Sequence, residues 1–297
     1  MPGVVTISGW TQYSWLRSGF STRQGGLSIP YSDGEFAEQN LGWTAEDTAA
    51  TVAANRQSFL HAIFGERDTE LVTMRQFHSG MIRRVQRTTG ALSTPDGKAV
   101  LRGDGLMTNE PGLALGAQTA DCVPVMIADT RTHAVAVFHA GWRGTLARIV
   151  ERSVGTMRLQ FGSRPADLVA AIGPAIGPCC FSVGEEVLSE FDSQFAYAAE
   201  LRSEVFDSDA VRDKYPMLFL TARAPGHSNI GPKVHLDLWE ANRRQLLDAG
   251  LKPKAISVVG ECTVCSRLKD GRRKYFSHRA EHGFTGRMLS VIGIVAD

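Results

Sequence analysis

Apolar residues recur at helical spacing after Gly144: Leu146, Ile149, Val150, Val154, Met157 and Phe161 share one face, opposite Arg148, Glu151, Arg152 and Arg158. The pattern predicts an amphipathic helix. A second helix is predicted from about Leu238 to Asp248, with Gly250 as its stop. The other apolar runs are short and bounded by turn residues, as strands are. They are Leu71–Phe77, Met81–Gln86, Leu113–Ala117, Val123–Ala128, Ala134–Phe138, Ile256–Val259 and Leu289–Val295. Thr88–Gly105 and Thr221–Pro232 are rich in Gly and Pro and are predicted as long loops. Neither reads as a linker, because the apolar segments on both sides match in character, so one domain over residues 1–297 is expected. Strands in adjacent pairs, with helices between some of them, predict an α+β fold on a mixed sheet rather than a doubly wound parallel one.

The segment Thr119–Gly144, TADCVPVMIADTRTHAVAVFHAGWRG, adds chemistry to this pattern. Val123–Ala128 and Ala134–Phe138 are joined by a short polar stretch and should form an antiparallel hairpin. With Thr130–Arg131 as the loop, the pairing extends outward to set Cys122 opposite His139. Cross-strand partners share a face, with Cβ atoms about 5 Å apart. Thr-Arg is a poor pair for such a tight turn, so a longer loop with a one-residue register change is the alternative. A thiolate and an imidazole at one end of a hairpin make half of a zinc site. His78, at the end of the strand predicted over Leu71–Phe77, is the best third ligand. The plainer reading stays open at this point: a single buried Cys is usually a core residue, and a His ending a strand is often only hydrogen-bonded.

Composition narrows the functions. Of 297 residues 43% are hydrophobic, enough for a large core, and Lys+Arg 32 against Asp+Glu 31 leaves +1. No net field draws nucleic acid or an anionic membrane, and neither is an expected partner. No apolar run reaches the length of a membrane span. The first basic residue is Arg17, so no charged stretch precedes an apolar one as in a secretory signal, and five Cys do not pair into a disulfide framework. The cytoplasm is the expected location.

The motifs TADCVPV and HAGWRG, with GFSTRQGGLS at Gly19–Ser28, NLG at Asn40–Gly42 and QFHSG at Gln76–Gly80, resemble the laccase-domain family. GPAIGPCCFSVG, LDLWEANRRQL, ECTVC and YFSHRAEHGFTGR extend the resemblance, in order, over nearly the whole chain. Members were named as multicopper polyphenol oxidases and are regarded as zinc-dependent purine nucleoside phosphorylases with adenosine deaminase activity. The resemblance implies a large mixed β-sandwich flanked by helices, a Zn2+ cofactor held by His78, Cys122 and His139, and nucleoside and phosphate as small-molecule partners. It raises Arg23 and Asn40 as substrate contacts. Ser79 stands where the family pattern has Gly after the ligand His.

The residues themselves argue against copper oxidation, since imidazole ligands for several coppers come largely as His-x-His pairs. Eight His are present and none lies two residues from another. The zinc deaminase signature also fails, because Cys262-x-x-Cys265 lacks both a preceding Pro and a His-x-Glu partner. Three protein ligands leave zinc an open position, the mark of a catalytic site, where a bound water has its pKa lowered toward about 7. Hydroxide from it would deaminate a purine. Asp121, beside Cys122, is a candidate proton shuttle, with a hydrogen-bonded structural role as its equal alternative. Arg23 and Arg143 are candidate phosphate donors, although Arg143 could as easily pair with a carboxylate. Cys179, Cys180, Cys262 and Cys265 read as buried structural thiols, since adjacent Cys rarely ligate one ion well. Two other functions compete: a hydrolase editing peptidoglycan precursors with the same zinc or with Cys122 as nucleophile, and a non-enzymatic module with structural zinc.

Overall fold

The computed structural model describes residues 2–32, 34–205 and 233–295. The loop expected at Thr221–Pro232 lies outside them. In chain order the strands are β1 (Val4–Val5), β2 (Leu16–Ser21), β3 (Gln24–Ser28), β4 (Glu70–Val72), β5 (Ile82–Arg84), β6 (Gly105–Thr108), β7 (Leu113–Thr119), β8 (Val123–Asp129), β9 (Val135–Ala140), β10 (Leu168–Ile172), β11 (Arg202–Val205), β12 (Lys233–Leu236), β13 (Ile256–Val258) and β14 (Met288–Ile294). The helices are α1 (Ala49–Phe64), α2 (Trp142–Leu146), α3 (Ile149–Phe161), α4 (Glu185–Gln194) and α5 (Leu238–Asp248).

Two mixed sheets result. One has the order β1-β2-β14-β7-β4 and the other β13-β10-β8-β9-β6-β5, while β11 and β12 form a separate pair. Among the described residues only β4 with β7, β10 with β13 and β5 with β6 run parallel. The expected α+β class with mixed sheets is what forms.

Strand parity explains how the layers stack. In β8, Met126 and Ala128 face the other sheet, while Val123, Val125 and Ile127 face the helices α3, α4 and α5. In β9, Val135 and Val137 face inward, and Ala136, Phe138 and Ala140 face the helices. The five-stranded sheet mirrors this arrangement. Leu115 and Ile292 enter the intersheet core, whereas Ala114, Leu289 and Val291 meet Phe59 and Phe64 of α1. A strand buried on both faces reads as a continuous apolar run, and that made these strands visible in sequence. The order of layers is helix, sheet, sheet, helices.

Three expectations change. The helix foreseen after Gly144 is two helices, because Arg148 is left-handed at φ 52° and breaks the run between α2 and α3. The strand foreseen over Leu71–Phe77 pairs only as β4; beyond it Arg75 bridges Arg102, so His78 sits in a loop and not at a strand end. In the β8–β9 hairpin Val123 pairs with Ala140 and Pro124 with His139, so Cys122 is not directly opposite His139. The reason is the loop. The Asp129 carboxylate accepts the N–H groups of Arg131 and Thr132, His133 turns left-handed at φ 58°, and the Asp129 N–H donates to the Ala134 carbonyl. A four-residue turn replaces the tight one and moves the register by two residues. An even shift preserves the face, so Cys122 and His139 remain neighbours on a diagonal.

Helix α1 was not foreseen because its buried face is half polar. Asn55 and Arg56 sit beside Val52, Phe59 and Phe64, with Asn55 donating to Ser28 and the Asn40 carbonyl and Arg56 to the Leu41 carbonyl. Phe59 is fully buried on the side of the five-stranded sheet away from the other sheet. Phe59→Ala is expected to lower the unfolding free energy by about 3–5 kcal/mol in a denaturant titration.

Candidate metal centre

Gly103-Asp104-Gly105 leads into β6, and Asp104 is fully buried. Its carboxylate accepts the backbone N–H of Phe77, of His78 at 3.1 Å and of Ser79 at 2.7 Å, together with the Ser79 hydroxyl at 2.7 Å. His139 donates its Nδ1–H to the same carboxylate at 2.9 Å. The Asp104 carbonyl accepts the His139 N–H at 2.8 Å, tying β6 to β9 from both sides of one residue. With Nδ1 committed to Asp104, Nε2 of His139 is the free ligand atom, the arrangement that metal-binding histidines commonly adopt. Ser79, the departure from the family pattern, adds a donor to this carboxylate.

Two backbone turns aim the other ligands. His78 is left-handed at φ 61° and Asp121, just before Cys122, at φ 93°. Non-glycine residues rarely adopt this conformation, and here the surrounding hydrogen bonds hold it. Gly141 closes the arrangement from behind: a Cβ there would lie 2.9 Å from the Cys122 sulfur and 3.0 Å from the His78 ring.

The ligand atoms of His78, Cys122 and His139 all lie within 4.8 Å of one another, and the Cys122 sulfur is 3.8 Å from His78 Nε2. Zinc–sulfur and zinc–nitrogen bonds of about 2.3 and 2.05 Å at the tetrahedral angle set sulfur and nitrogen about 3.6 Å apart. The donor set and its spacing therefore fit zinc. Exposure falls from His78, which is exposed, through half-buried Cys122 to buried His139.

Charge is arranged for the same purpose. Burial pushes the Asp104 carboxyl up, but the hydrogen bonds from His139 and Ser79 outweigh it and hold the group at about 2. Burial likewise raises the Cys122 thiol, yet the charge and hydrogen bond of His139, aided by His78, bring it down to about 6. His139 is lowered by burial and raised more strongly by the Cys122 thiolate and Asp104, to about 9. Without metal the centre is a thiolate–imidazolium pair at neutral pH.

The three ligands line a cavity of about 480 Å³. Met74, Ile176 and Phe181 give it apolar walls, and His278, Arg279 and Arg287 give it cationic and polar groups. Among the described residues neither guanidinium has a carboxylate partner: Arg279 donates to the Ser182 hydroxyl and carbonyl, Arg287 to the carbonyls of Thr285 and Gly286. Asp121 lines the cavity too, but one carboxylate oxygen accepts from Thr263 and the other from the Arg279 N–H. That is its structural alternative.

Three expected substrate contacts are not brought to the cavity. Arg23 is 1% exposed, paired with Glu38 and Glu281 and bonded to the Tyr31 carbonyl, so its charge is already neutralised. Asn40 is fully buried and holds a turn, accepting from Gly42 and Arg287 and donating to Asp47. Arg143 is exposed on α2, its guanidinium stacked 4.2 Å over Trp142, and does not line the cavity. Sequence reasoning missed Asp104, Arg279 and Arg287. An Asp flanked by Gly ahead of an apolar strand was the available signal for the first; the other two lie in the YFSHRAEHGFTGR motif.

Residues 17–295 match the family described as multi-copper polyphenol oxidoreductase laccase. The chain is 33% identical over 286 residues to the purine nucleoside phosphorylase YlmD of Geobacillus stearothermophilus, covering 94% of each. It is 32% identical over 218 residues to adenosine deaminase RL5 from an unknown prokaryotic organism, covering 73% of this chain and 74% of that protein. The fold is similar to the crystal structure of the Bacillus licheniformis hypothetical protein YfiH, with a TM-score of 0.79 and 31% identity over 99% of this chain and 97% of that one. Among the described residues no helix is long and apolar enough to cross a membrane.

Two outcomes are expected at this centre. Asp104→Asn presents an amide N–H to backbone donors and should weaken zinc binding here tenfold to a hundredfold in a chelator competition. In metal-stripped protein, Cys122 loses its proton above about pH 6, so its alkylation by iodoacetamide, followed by peptide mass spectrometry, should rise through that pH and level off near neutrality. A rise centred near the ordinary thiol value of about 8.5 would contradict the thiolate–imidazolium pair.

Proposed function

The chain belongs to the multi-copper polyphenol oxidoreductase laccase family, and from that premise we propose that it is a zinc-dependent purine nucleoside enzyme of the cytoplasm. The proposed reactions are phosphorolysis of adenosine, inosine and methylthioadenosine, and deamination of adenosine. The observation that carries the reading is a His-Cys-His centre on the wall of a cavity that also holds two guanidiniums without carboxylate partners. Multicopper oxidase chemistry has no such support: one thiolate with two imidazoles suits a single copper as well as zinc, but the eight His, none two residues from another, supply no His-x-His pairs for a multinuclear copper cluster.

His78, Cys122 and His139 hold the ion, and Asp104 fixes the His139 tautomer so that Nε2 faces the cavity. When bound, zinc supplies Lewis-acid polarisation and a lowered water pKa. Arg279 and Arg287 bind phosphate by charge-assisted hydrogen bonds. Met74 and Phe181 offer apolar surface to the purine. His278, exposed on the cavity wall, holds the proton that a departing amine takes at a ring nitrogen. Asp121 holds the Cys122 loop in place through Thr263 and Arg279.

Zinc-loaded protein should convert inosine and phosphate into hypoxanthine and ribose 1-phosphate, and adenosine into inosine without phosphate; Cys122→Ala should abolish both. Arg279→Ala keeps the backbone donation to Asp121 and removes the guanidinium together with its bonds to Ser182. It should raise KM for phosphate about ten- to a hundredfold, the equivalent of roughly 1.5–3 kcal/mol, and spare deamination. Equal loss of both activities would make Arg279 a general positioning residue. No turnover of any nucleoside by the wild type would remove the reading and favour amide hydrolysis on peptidoglycan precursors by the same thiol.

A further inference from the structure

Four more cysteines converge outside this centre, and they differ from the buried thiols expected of the sequence: Cys179 and Cys265 are exposed, Cys180 is half-buried and only Cys262 is buried. Cys179 and Cys180 lie in the turn that follows β10, and Cys262 and Cys265 in the loop that follows β13. Those strands are parallel neighbours, so the two segments leave the sheet at the same end. A bridge between Ala175 and Cys262 continues the pairing past the strand ends. All four sulfurs lie within 4.8 Å of one another. The Cys179 and Cys265 sulfurs are 3.6 Å apart. A disulfide needs about 2.05 Å, whereas two sulfurs at about 2.3 Å from one tetrahedral zinc stand about 3.8 Å apart.

The objection that adjacent cysteines seldom share an ion is met by the local backbone. The N–H groups of Cys180 and Phe181 both return to the Gly177 carbonyl, at 2.9 and 3.0 Å, and the turn carries both thiols to the Cys262-x-x-Cys265 loop. That loop is itself closed by the Ser266 N–H on the Cys262 carbonyl at 3.0 Å. The Gly177 N–H points at the Cys262 sulfur from 3.2 Å. Backbone donors aimed at sulfur favour the thiolate, the form that binds metal. Four thiolates within 4.8 Å of one another repel, and a divalent cation between them removes the conflict.

We propose that Cys179, Cys180, Cys262 and Cys265 bind a second zinc ion, structural in role and separate from the His78–Cys122–His139 centre. Four thiolate ligands leave no open position, and soft sulfur donors select zinc among the common divalent ions. Binding releases the thiol protons, so the site fills more readily as pH rises. The ion would pin two segments that shape the cavity: Ile176 and Phe181 line its wall, and Thr263, next to Cys262, holds Asp121 beside the catalytic ligand.

The test is zinc per chain by elemental mass spectrometry on the full-length protein after dialysis against a chelator. The wild type should hold two zinc ions, His78→Ala/Cys122→Ala one, and Cys179→Ser/Cys265→Ser one. Cobalt loaded into His78→Ala/Cys122→Ala should give the intense sulfur-to-metal absorption of a tetrathiolate. If Cys179→Ser/Cys265→Ser does not fold, the His78→Ala/Cys122→Ala protein decides by itself. One retained zinc with a tetrathiolate cobalt spectrum supports the site. A metal-free protein overturns it, as does a Cys179–Cys265 disulfide found by peptide mapping in zinc-replete wild type. None of these readings depends on turnover, so failure of the nucleoside assay leaves the result intact.

Discussion

The centre depends on one buried carboxylate. Asp104 gathers the backbone of Phe77, His78 and Ser79, the Ser79 hydroxyl and the His139 ring onto two oxygens. A buried anion without such donors is strongly disfavoured, so the loop that carries His78 has one conformation in which Asp104 is satisfied. The left-handed His78 and the orientation of His139 are both consequences of that requirement. The Cys122 thiolate and, after it, Asp104 raise His139 against the effect of burial, and the imidazolium in turn lowers the Cys122 thiol. The placement of both histidine ligands traces back to this side chain.

Much of the frame was legible in the sequence because strands buried on both faces leave uninterrupted apolar runs; β7, β8, β9 and β14 fall within a residue or two of where the pattern sets them. What escaped has physical causes. β2 mixes Arg17, Ser18 and Gly19 into its run, and α1 buries Asn55 and Arg56 in the face that should have been apolar. The hairpin register depended on a turn whose Asp129 carboxylate caps its own loop, a contact that strand pairing rules do not include. The expected ligand trio converges despite that error, because a two-residue shift leaves side chains on the same face.

The cationic residues teach a different lesson. Arg23 sits in a motif that resembles substrate-binding segments, yet two carboxylates and a backbone carbonyl surround it, and it fastens the β2–β3 turn to the segment around Phe276 and Glu281. A motif gives identity and position but not the direction in which a side chain points. Arg279 and Arg287 reach the cavity because the segment after Tyr275 lines it, together with His278. The charge needed for an anion is present, carried by residues far along the chain from those that the motif suggested.

The strand order of the five-stranded sheet also constrains how the molecule can be made. β14 is the last described strand in the chain, yet it lies in the middle of its sheet, hydrogen-bonded to β2 on one side and β7 on the other. During synthesis β2 and β7 emerge long before the strand that joins them. The hairpin of β8 and β9, with β6 beside it, is assembled from near neighbours in the chain and can form early. The other sheet stays divided, with two unpaired edges and an uncovered apolar face, until residues 288–294 have left the ribosome. A ribosome stalled before β14 would hold a chain in which the metal ligands are present but the sandwich is open.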